Sequence, residues 1–332
     1  MILVTGGAGY IGSHTAISLI EKGTDIVIFD NLETGHIETI EALQGLSNAV
    51  KFVKGDLRNF EDINKVFKDY EIDAVVHFAA NSLVNESVVN PEKYYYNNVF
   101  GSMNLFKAMI ENNAKKIVFS STCAVYGEPV YMPIDELHPK NPVTAYGASK
   151  LMIERILKDY DSAYGLKSIR LRYFNVVGAD KDAKVGEWHD IETHLVPNIL
   201  KSTFKKSESF KIFGDDYDTK DGTCIRDYVN VEDLAQAHLL ALELLNKTES
   251  SEVFNLGTTI GNSVKEVFDL SEQVLGQKIE YEICPRREGD PDKLFANANK
   301  AKNILGWEPK NSLDYSVQTA YEWEKKLQRI LN

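Results

Sequence analysis

The sequence is poor in the residues that build disulfide scaffolds. Its 332 residues include three cysteines, Cys123, Cys224 and Cys284, far apart and in no paired spacing. That excludes a disulfide framework and a cysteine-pair zinc site, and it fits a reducing compartment. Basic charge is short as well: 37 Lys and Arg stand against 49 Asp and Glu, a formal net charge of -12. A chain this acidic lacks the basic face of a general nucleic-acid binder. No run of about 18 apolar residues occurs, so no membrane span is expected. The first residues pass directly into Ile2-Leu3-Val4-Thr5 with no basic region or cleavage site. A secretory leader is therefore not expected, and the expected location is cytoplasmic.

What is present is an ordinary globular composition with a clear rhythm. Short β-branched runs at 2–5, 26–29, 50–53, 74–78, 117–119 and 168–171 alternate with helix-length stretches at 11–21, 60–68, 91–111 and 146–164. Continuous apolar strands are buried on both faces. Strand-helix alternation of this kind predicts an α/β chain with a Rossmann-type doubly wound parallel sheet. After residue 174 the rhythm changes, and helical patterns return at 231–245 and 264–275. Residues 1–174 are read as a dinucleotide-binding domain, onto which some later segments pack back. Residues 175–332 are read as a smaller mixed α/β substrate domain, with the ligand in the cleft between them.

Four motifs carry chemistry. Gly6-Gly7-Ala8-Gly9-Tyr10-Ile11-Gly12 follows an apolar strand and opens a helix. In that context Gly6 suits a tight turn, Gly9 the approach of a pyrophosphate, and Gly12 close helix–strand packing. Asp30 lies 18 residues past Gly12 at a strand end. Its carboxylate suits ribose hydroxyls and repels a 2′-phosphate, and no Arg or Lys follows until Lys51, so NAD is favoured over NADP. Tyr146 and Lys150 are four apart on one helix face. An ammonium there is expected to lower the Tyr pKa from about 10, making Tyr146 a base for a hydroxyl proton. Ser120-Ser121-Thr122 closes another strand, where a hydroxyl can meet a reacting alcohol. Taken singly, each has a plainer reading: a glycine turn, a turn-forming Asp, a solvated Tyr/Lys face, a polar strand end.

Together and in this order, these motifs resemble the extended branch of the short-chain dehydrogenase/reductase superfamily. Longer strings narrow the resemblance: 5–15, Asp30-Asn31-Leu32, Val76-His77-Phe78-Ala79, Val125-Tyr126-Gly127, 171–175, 221–228 and 285–290. Within that branch the chain resembles the UDP-glucose 4-epimerase family, over residues 2 to about 307. The resemblance implies an isomerase that interconverts UDP-galactose and UDP-glucose through transient oxidation at C4 of the hexose. N-acetylated UDP-hexoses are possible further substrates. Tyr146 would take the 4-hydroxyl proton, Thr122 would bridge it, and Lys150 would hold the nicotinamide ribose. Gly6, Gly9, Tyr10, Ile11, Gly12, Asp30, Asn31, Asp56, Leu57, Phe78, Ala79, Asn97, Tyr146, Lys150 and Phe174 would contact NAD. Thr122, Tyr146, Asn175, His194, Leu195, Phe213, Arg226, Arg287, Asp290 and Leu294 would line the UDP-sugar site, with the two arginines on the diphosphate. A homodimer packed through helices near 91–111 and 146–160 is also implied.

The chain departs from the family pattern in places. Thr122 stands where Ser is frequent. Asn81 and Ser82 replace part of a Gly-Leu-Lys string, and His194 stands where many members carry Asn. Leu294 occupies the position that gates room for an N-acetyl group. A nucleotide-sugar dehydratase would place an acidic pair after Thr122, where Cys123-Ala124 stand. A redox-sensing dinucleotide binder would lack the Tyr and Lys pair. Glu187, His189, Asp190, Glu192 and His194 crowd together, but the two His are five apart rather than four, so a solvated loop and no metal are expected.

Overall fold

The computed structural model describes residues 1–204, 209–248, 250–287 and 289–331. The elements follow in chain order. β1 (Ile2–Thr5), α1 (Tyr10–Glu21), β2 (Ile26–Asp30), α2 (Ile37–Leu46), β3 (Val50–Lys54), α3 (Phe60–Asp69) and β4 (Ala74–His77) open the chain. α4 (Val84–Val89), α5 (Pro91–Tyr94), a π-helical stretch Tyr95–Phe100, α6 (Gly101–Glu111), β5 (Lys116–Thr122), α7 (Ala145–Tyr164), β6 (Lys167–Tyr173) and β7 (Asn175–Val177) follow. Then come α8 (Leu195–Phe204), β8 (Phe210–Phe213), β9 (Ile225–Arg226), β10 (Tyr228–Asn230), α9 (Val231–Lys247) and β11 (Glu252–Leu256). The chain finishes with β12 (Asn262–Ser263), α10 (Val264–Leu275), β13 (Tyr281–Cys284), β14 (Lys293–Leu294) and α11 (Leu313–Leu331).

Seven strands form one sheet in the order β11-β6-β5-β4-β1-β2-β3. All six pairings are parallel. The apolar runs are continuous because both faces are covered. Val4, Ile26, Ile28, Val76, Val118 and Ile169 point into one core, and Leu3, Val27, Phe29, Val75, Ile117 and Phe119 into the other. Parallel strands put all their C-terminal ends on one edge, so Thr5, Asp30, His77 and Thr122 share that edge. The chain reverses direction across the sheet between β1 and β4, which opens the ligand crevice there.

The C-terminal half is split between the two bodies. β11 pairs with β6, and α9 packs on α1. Residues 231–256 therefore lie against the seven-stranded sheet and its helices. A separate core of Val177, Val196, Ile199, Leu200, Phe210, Ile212, Val267, Phe268 and Val317 forms the second lobe. α2 has no counterpart in the predicted elements, and only its Ile40 and Leu43 are buried. The stretch 91–111 is not one regular helix. Its π-helical turn places Asn98 inward, where it is fully buried and bonded to Asn81 N at 2.8 Å and Asn81 O at 3.0 Å. Among the described residues, no helix is long and apolar enough to cross a membrane.

α7 is held at both ends and in the middle. Thr144 caps it, accepting from Gly147 N at 3.2 Å, and Gly165 closes it in the left-handed conformation. In its centre Glu154 pairs with Arg172 of β6, with side chains 4% and 3% exposed. Ser121 Oγ donates to Glu154 at 2.6 Å, and Arg172 Nη1 donates to Tyr126 Oη at 2.8 Å. Removing one partner leaves a buried charge alone, which costs about 3–5 kcal/mol. Arg172→Leu is expected to lower unfolding stability by that amount in chemical denaturation. The Arg172→Leu/Glu154→Leu double variant is expected to recover most of the loss.

Candidate active site

The glycine turn is shaped by contacts that a side chain would destroy. Gly6 has φ +72, and a Cβ there would lie 2.5 Å from Ala79 N. A Cβ on Gly12 would sit 2.2 Å from Gly6 O, so α1 and β1 could not approach. A Cβ on Gly9 would meet only Gly6 O at 3.4 Å, so the space above the turn is open. Gly9 is the N-cap of α1 and supplies no side-chain cap. The first-turn N–H groups thus face the crevice with the helix dipole behind them.

Asp30 is buried, accepting from Ala8 N at 3.0 Å and Leu32 N at 2.9 Å, and burial raises its pKa. Each carboxylate oxygen keeps a second lone pair for a ligand hydroxyl. Asn31 donates to Asp56 Oδ2 at 3.0 Å. Burial alone would raise Asp56, but hydrogen bonds from Arg58 and Asn31 hold its carboxyl down at about 2. Arg58 is a cation that the reading of residues 31–51 missed. It lies beside Asp56 and Glu33, but both carboxylates engage its guanidinium, which leaves it poorly placed for a 2′-phosphate. Leu57 packs in the core under Gly101, Phe78 lies 4.7 Å from the His238 ring, and Asn97 donates to Asn98 Oδ1 at 3.0 Å. Asn81 is buried, and its Nδ2 has no partner.

Thr122 ends β5 and caps the short turn that follows, accepting from Ala124 N at 3.1 Å. Its hydroxyl faces Tyr146, the second residue of α7, closely enough to act on that phenol's pKa. Lys150 is 2% exposed and donates to Ser120 O at 2.8 Å, with Nζ 5.9 Å from the Tyr146 ring centre. The expected lowering of the Tyr146 pKa is not what the protein's own groups produce. Burial pushes Tyr146 up to about 12, against a smaller lowering by the Thr122 hydroxyl, and burial brings Lys150 down to about 7. Desolvation disfavours both charged forms, so the pair stays neutral more readily than its spacing implied.

A second group gathers across the crevice. Arg226 is buried against Asp290 and donates to Ile225 O at 2.7 Å. Its partner is Asp290 and not the adjacent Asp227, which is buried and bonded to Thr258 and Ala296. Leu294 stands beside Arg226 in the β9–β14 register and shares a cluster with Phe174. Arg287 stacks on Phe213 at 4.2 Å. Asn175 N donates to Asp227 O at 3.0 Å, which places it at the neighbouring strand end. Leu195 begins α8 and packs into the second lobe. His194, just before Leu195, has its Nδ1 engaged by Glu187. The loop over 187–194 is solvated at Asp190, Ile191, Thr193 and His194, whereas the Glu187 and Glu192 side chains are only 5% exposed.

Residues 3–320 match the family model described as GDP-mannose 4,6 dehydratase. The UDP-glucose 4-epimerase of Halalkalibacterium halodurans is 51% identical over 98% of this chain and 96% of that protein. The crystal structure of the UDP-glucose 4-epimerase of Stenotrophomonas maltophila, with bound NAD and formylated UDP-arabinopyranose, has a TM-score of 0.96 at 37% identity, covering 99% of each chain. The structure of the UDP-Glc/GlcNAc 4-epimerase of Campylobacter jejuni has a TM-score of 0.86 at 42% identity, covering 98% of this chain and 99% of that one.

The lowered Lys150 pKa has a thermodynamic signature. The unfolded chain keeps this proton up to about 10.4, whereas the folded chain releases it near 7. The cost to folding is therefore full below about pH 7 and fades as pH rises toward 10. Lys150→Met removes that cost. Its gain in Tm, measured on dinucleotide-free protein, is expected to be larger at about pH 6.5 than at about pH 9.5. An equal gain at both would contradict a depressed amine.

Proposed function

The chain belongs to the UDP-glucose 4-epimerases, and from that premise we propose that it interconverts UDP-galactose and UDP-glucose with Tyr146 as the proton acceptor at the sugar 4-hydroxyl. The observation that carries this assignment is the convergence of Tyr146, Thr122 and Lys150 at the C-terminal end of β5. The residues fit a dinucleotide. The Gly9 side of the turn is open, Asp30 can accept from the adenosine ribose, and the bare Nδ2 of buried Asn81 awaits an acceptor. Gly6, Tyr10, Ile11, Gly12, Asn31, Asp56, Leu57, Phe78, Ala79, Asn97 and Phe174 complete that cradle in this reading. When bound, NAD would supply the hydride acceptor and donor for C4 of the sugar.

The chain's own residues handle protons and position. Thr122 Oγ1 faces the Tyr146 phenol and can both donate and accept, so it can hold the sugar 4-hydroxyl on the path to the phenol. Lys150 is fixed by Ser120 O, and its protonated form stabilises a phenolate on Tyr146. Arg226 and Arg287 bind the diphosphate, where a fork of N–H donors matches phosphate oxygens. Anchoring at the diphosphate leaves the hexose free to present either face of C4. Asn175, Phe213, Asp290 and Leu294 border the sugar, and Leu294 sets the room at the 2-position. The three cysteines are free in the structure, which agrees with a cytoplasmic enzyme.

We place a homodimer contact on the helices 91–111 and α7. They carry large apolar side chains that face outward: Tyr96, Phe100, Met103 and Met152, with Tyr96 stacked on Phe100 at 5.2 Å. An unpartnered patch of this kind marks an association surface. Light scattering is expected to give the mass of two chains, and Met103→Glu with Met152→Glu the mass of one.

Incubation with UDP-galactose, followed by proton NMR, is expected to yield UDP-glucose. Tyr146→Phe should cut turnover by roughly 10²–10⁴ while leaving the bound dinucleotide in place. Full activity of that variant would overturn the assignment of Tyr146.

A further inference from the structure

The segment from β7 to α8 carries a cluster of carboxylates and imidazoles to which the proton transfer assigns no role. Glu187, His189, Glu192 and His194 each direct one donor atom to a common point, and the four atoms lie within 4.8 Å of one another. His189 Nδ1 is 3.4 Å from Glu187 Oε1 and 3.6 Å from Glu192 Oε2. His194 Nδ1 touches Glu187 Oε1 and is 3.6 Å from Glu192 Oε1. Bonds of about 2.0–2.1 Å to N and O ligands in tetrahedral geometry imply ligand–ligand edges of about 3.4 Å. The separations of 3.4 and 3.6 Å, the latter to either Glu192 oxygen, are close to that edge.

We propose that Glu187, His189, Glu192 and His194 form a structural binding site for a divalent transition cation of the zinc type. Both imidazoles present the same nitrogen, Nδ1, to the centre. Two neutral imidazoles and two carboxylates sum to a charge of -2, which balances a dication. Carboxylate with imidazole is a donor set that zinc accepts, whereas magnesium and calcium favour oxygen alone. The spacing of five between the His residues does not argue against the site, because they lie in a loop and not on one helix face. Four protein ligands leave no open position, so the site is structural and not catalytic.

The cluster sits where cross-linking has an effect. Glu187 O accepts from Trp323 Nε1 of α11 at 2.9 Å, and Asn198 of α8 donates to His194 O at 2.9 Å. A bound cation would pin the loop that leads into Leu195 to both helices. The competing cation is Lys201, whose Nζ is 3.5 Å from Glu192 Oε2. The remaining bonds to Glu192 Oε1 come from Thr193 N and His194 N, which orient that carboxylate.

The test uses untagged holoenzyme, treated with chelator, re-equilibrated with Zn²⁺ and freed of excess metal. Wild type is expected to retain one zinc per chain by elemental analysis, and Tm is expected to rise. With Co²⁺ it is expected to show the intense visible absorption of a tetrahedral site. Glu192→Gln and, separately, His189→Gln are expected to retain less than about a tenth as much. Their turnover of UDP-galactose at low temperature should be close to that of wild type. The proposal is overturned if wild type retains no more zinc than the variants, or if Co²⁺ gives only the weak spectrum of a hydrated ion. The wild-type cobalt spectrum decides the matter even where a variant fails to fold.

Discussion

The buried pair between Glu154 and Arg172 is the constraint on which the site rests. Tyr146, Lys150 and Glu154 recur every fourth residue, so they lie along one face of α7. Glu154 is clamped to β6 by Arg172 and to β5 by Ser121. That clamp sets the axial register of the helix, and the register decides where Lys150 and Tyr146 reach. Lys150 then finds Ser120 O and Tyr146 finds Thr122, both on β5. The network runs on through Tyr126 to Asn255 of β11, at 2.6 Å, so the last strand of the sheet is tied to the same point. A buried charge pair contributes little net stability against an apolar substitute. Its value here is geometric: only one helix position satisfies both charges.

The crevice is built from two different kinds of element. The dinucleotide side is made of strand ends and one helix start, whose geometry follows from the parallel sheet. The opposite side is made of short strands, β9 with Arg226 and β14 with Leu294, and of the loop that carries Asp290. The cluster of Val125, Tyr126, Ile134, Phe174 and Ala296 lies between the two and packs against Cys123 and Leu294. The two sides therefore share apolar support.

Electrostatics at the centre follow burial more than spacing. A Tyr and a Lys one helical turn apart read as a charge-stabilised pair when the helix is imagined in water. In the folded chain both are taken out of water, and desolvation drives Tyr146 up and Lys150 down. The same effect keeps His77 and His238 neutral, with pKa values lowered to about 3 and about 4. Asp56 shows the opposite outcome, because Arg58 and Asn31 donate directly to it.

The sequence by itself determined the sheet, the glycine turn, Asp30, and the Tyr146, Lys150 and Thr122 set. Each is written in local signals: short continuous apolar runs, glycines at fixed offsets, residues four apart on one helix. Only the tertiary structure decided which distant residues meet. Arg58 reaches Asp56 and Glu33, Asn98 turns inward to hold Asn81, Arg226 chooses Asp290 over its neighbour Asp227, and His194 turns to Glu187. β11 joins the seven-stranded sheet from far along the chain. The physical reason is common to all of these. Local patterns carry the periodicity of strands and helices, whereas partner choice and pKa depend on which groups folding removes from water together, and no spacing along the chain encodes that.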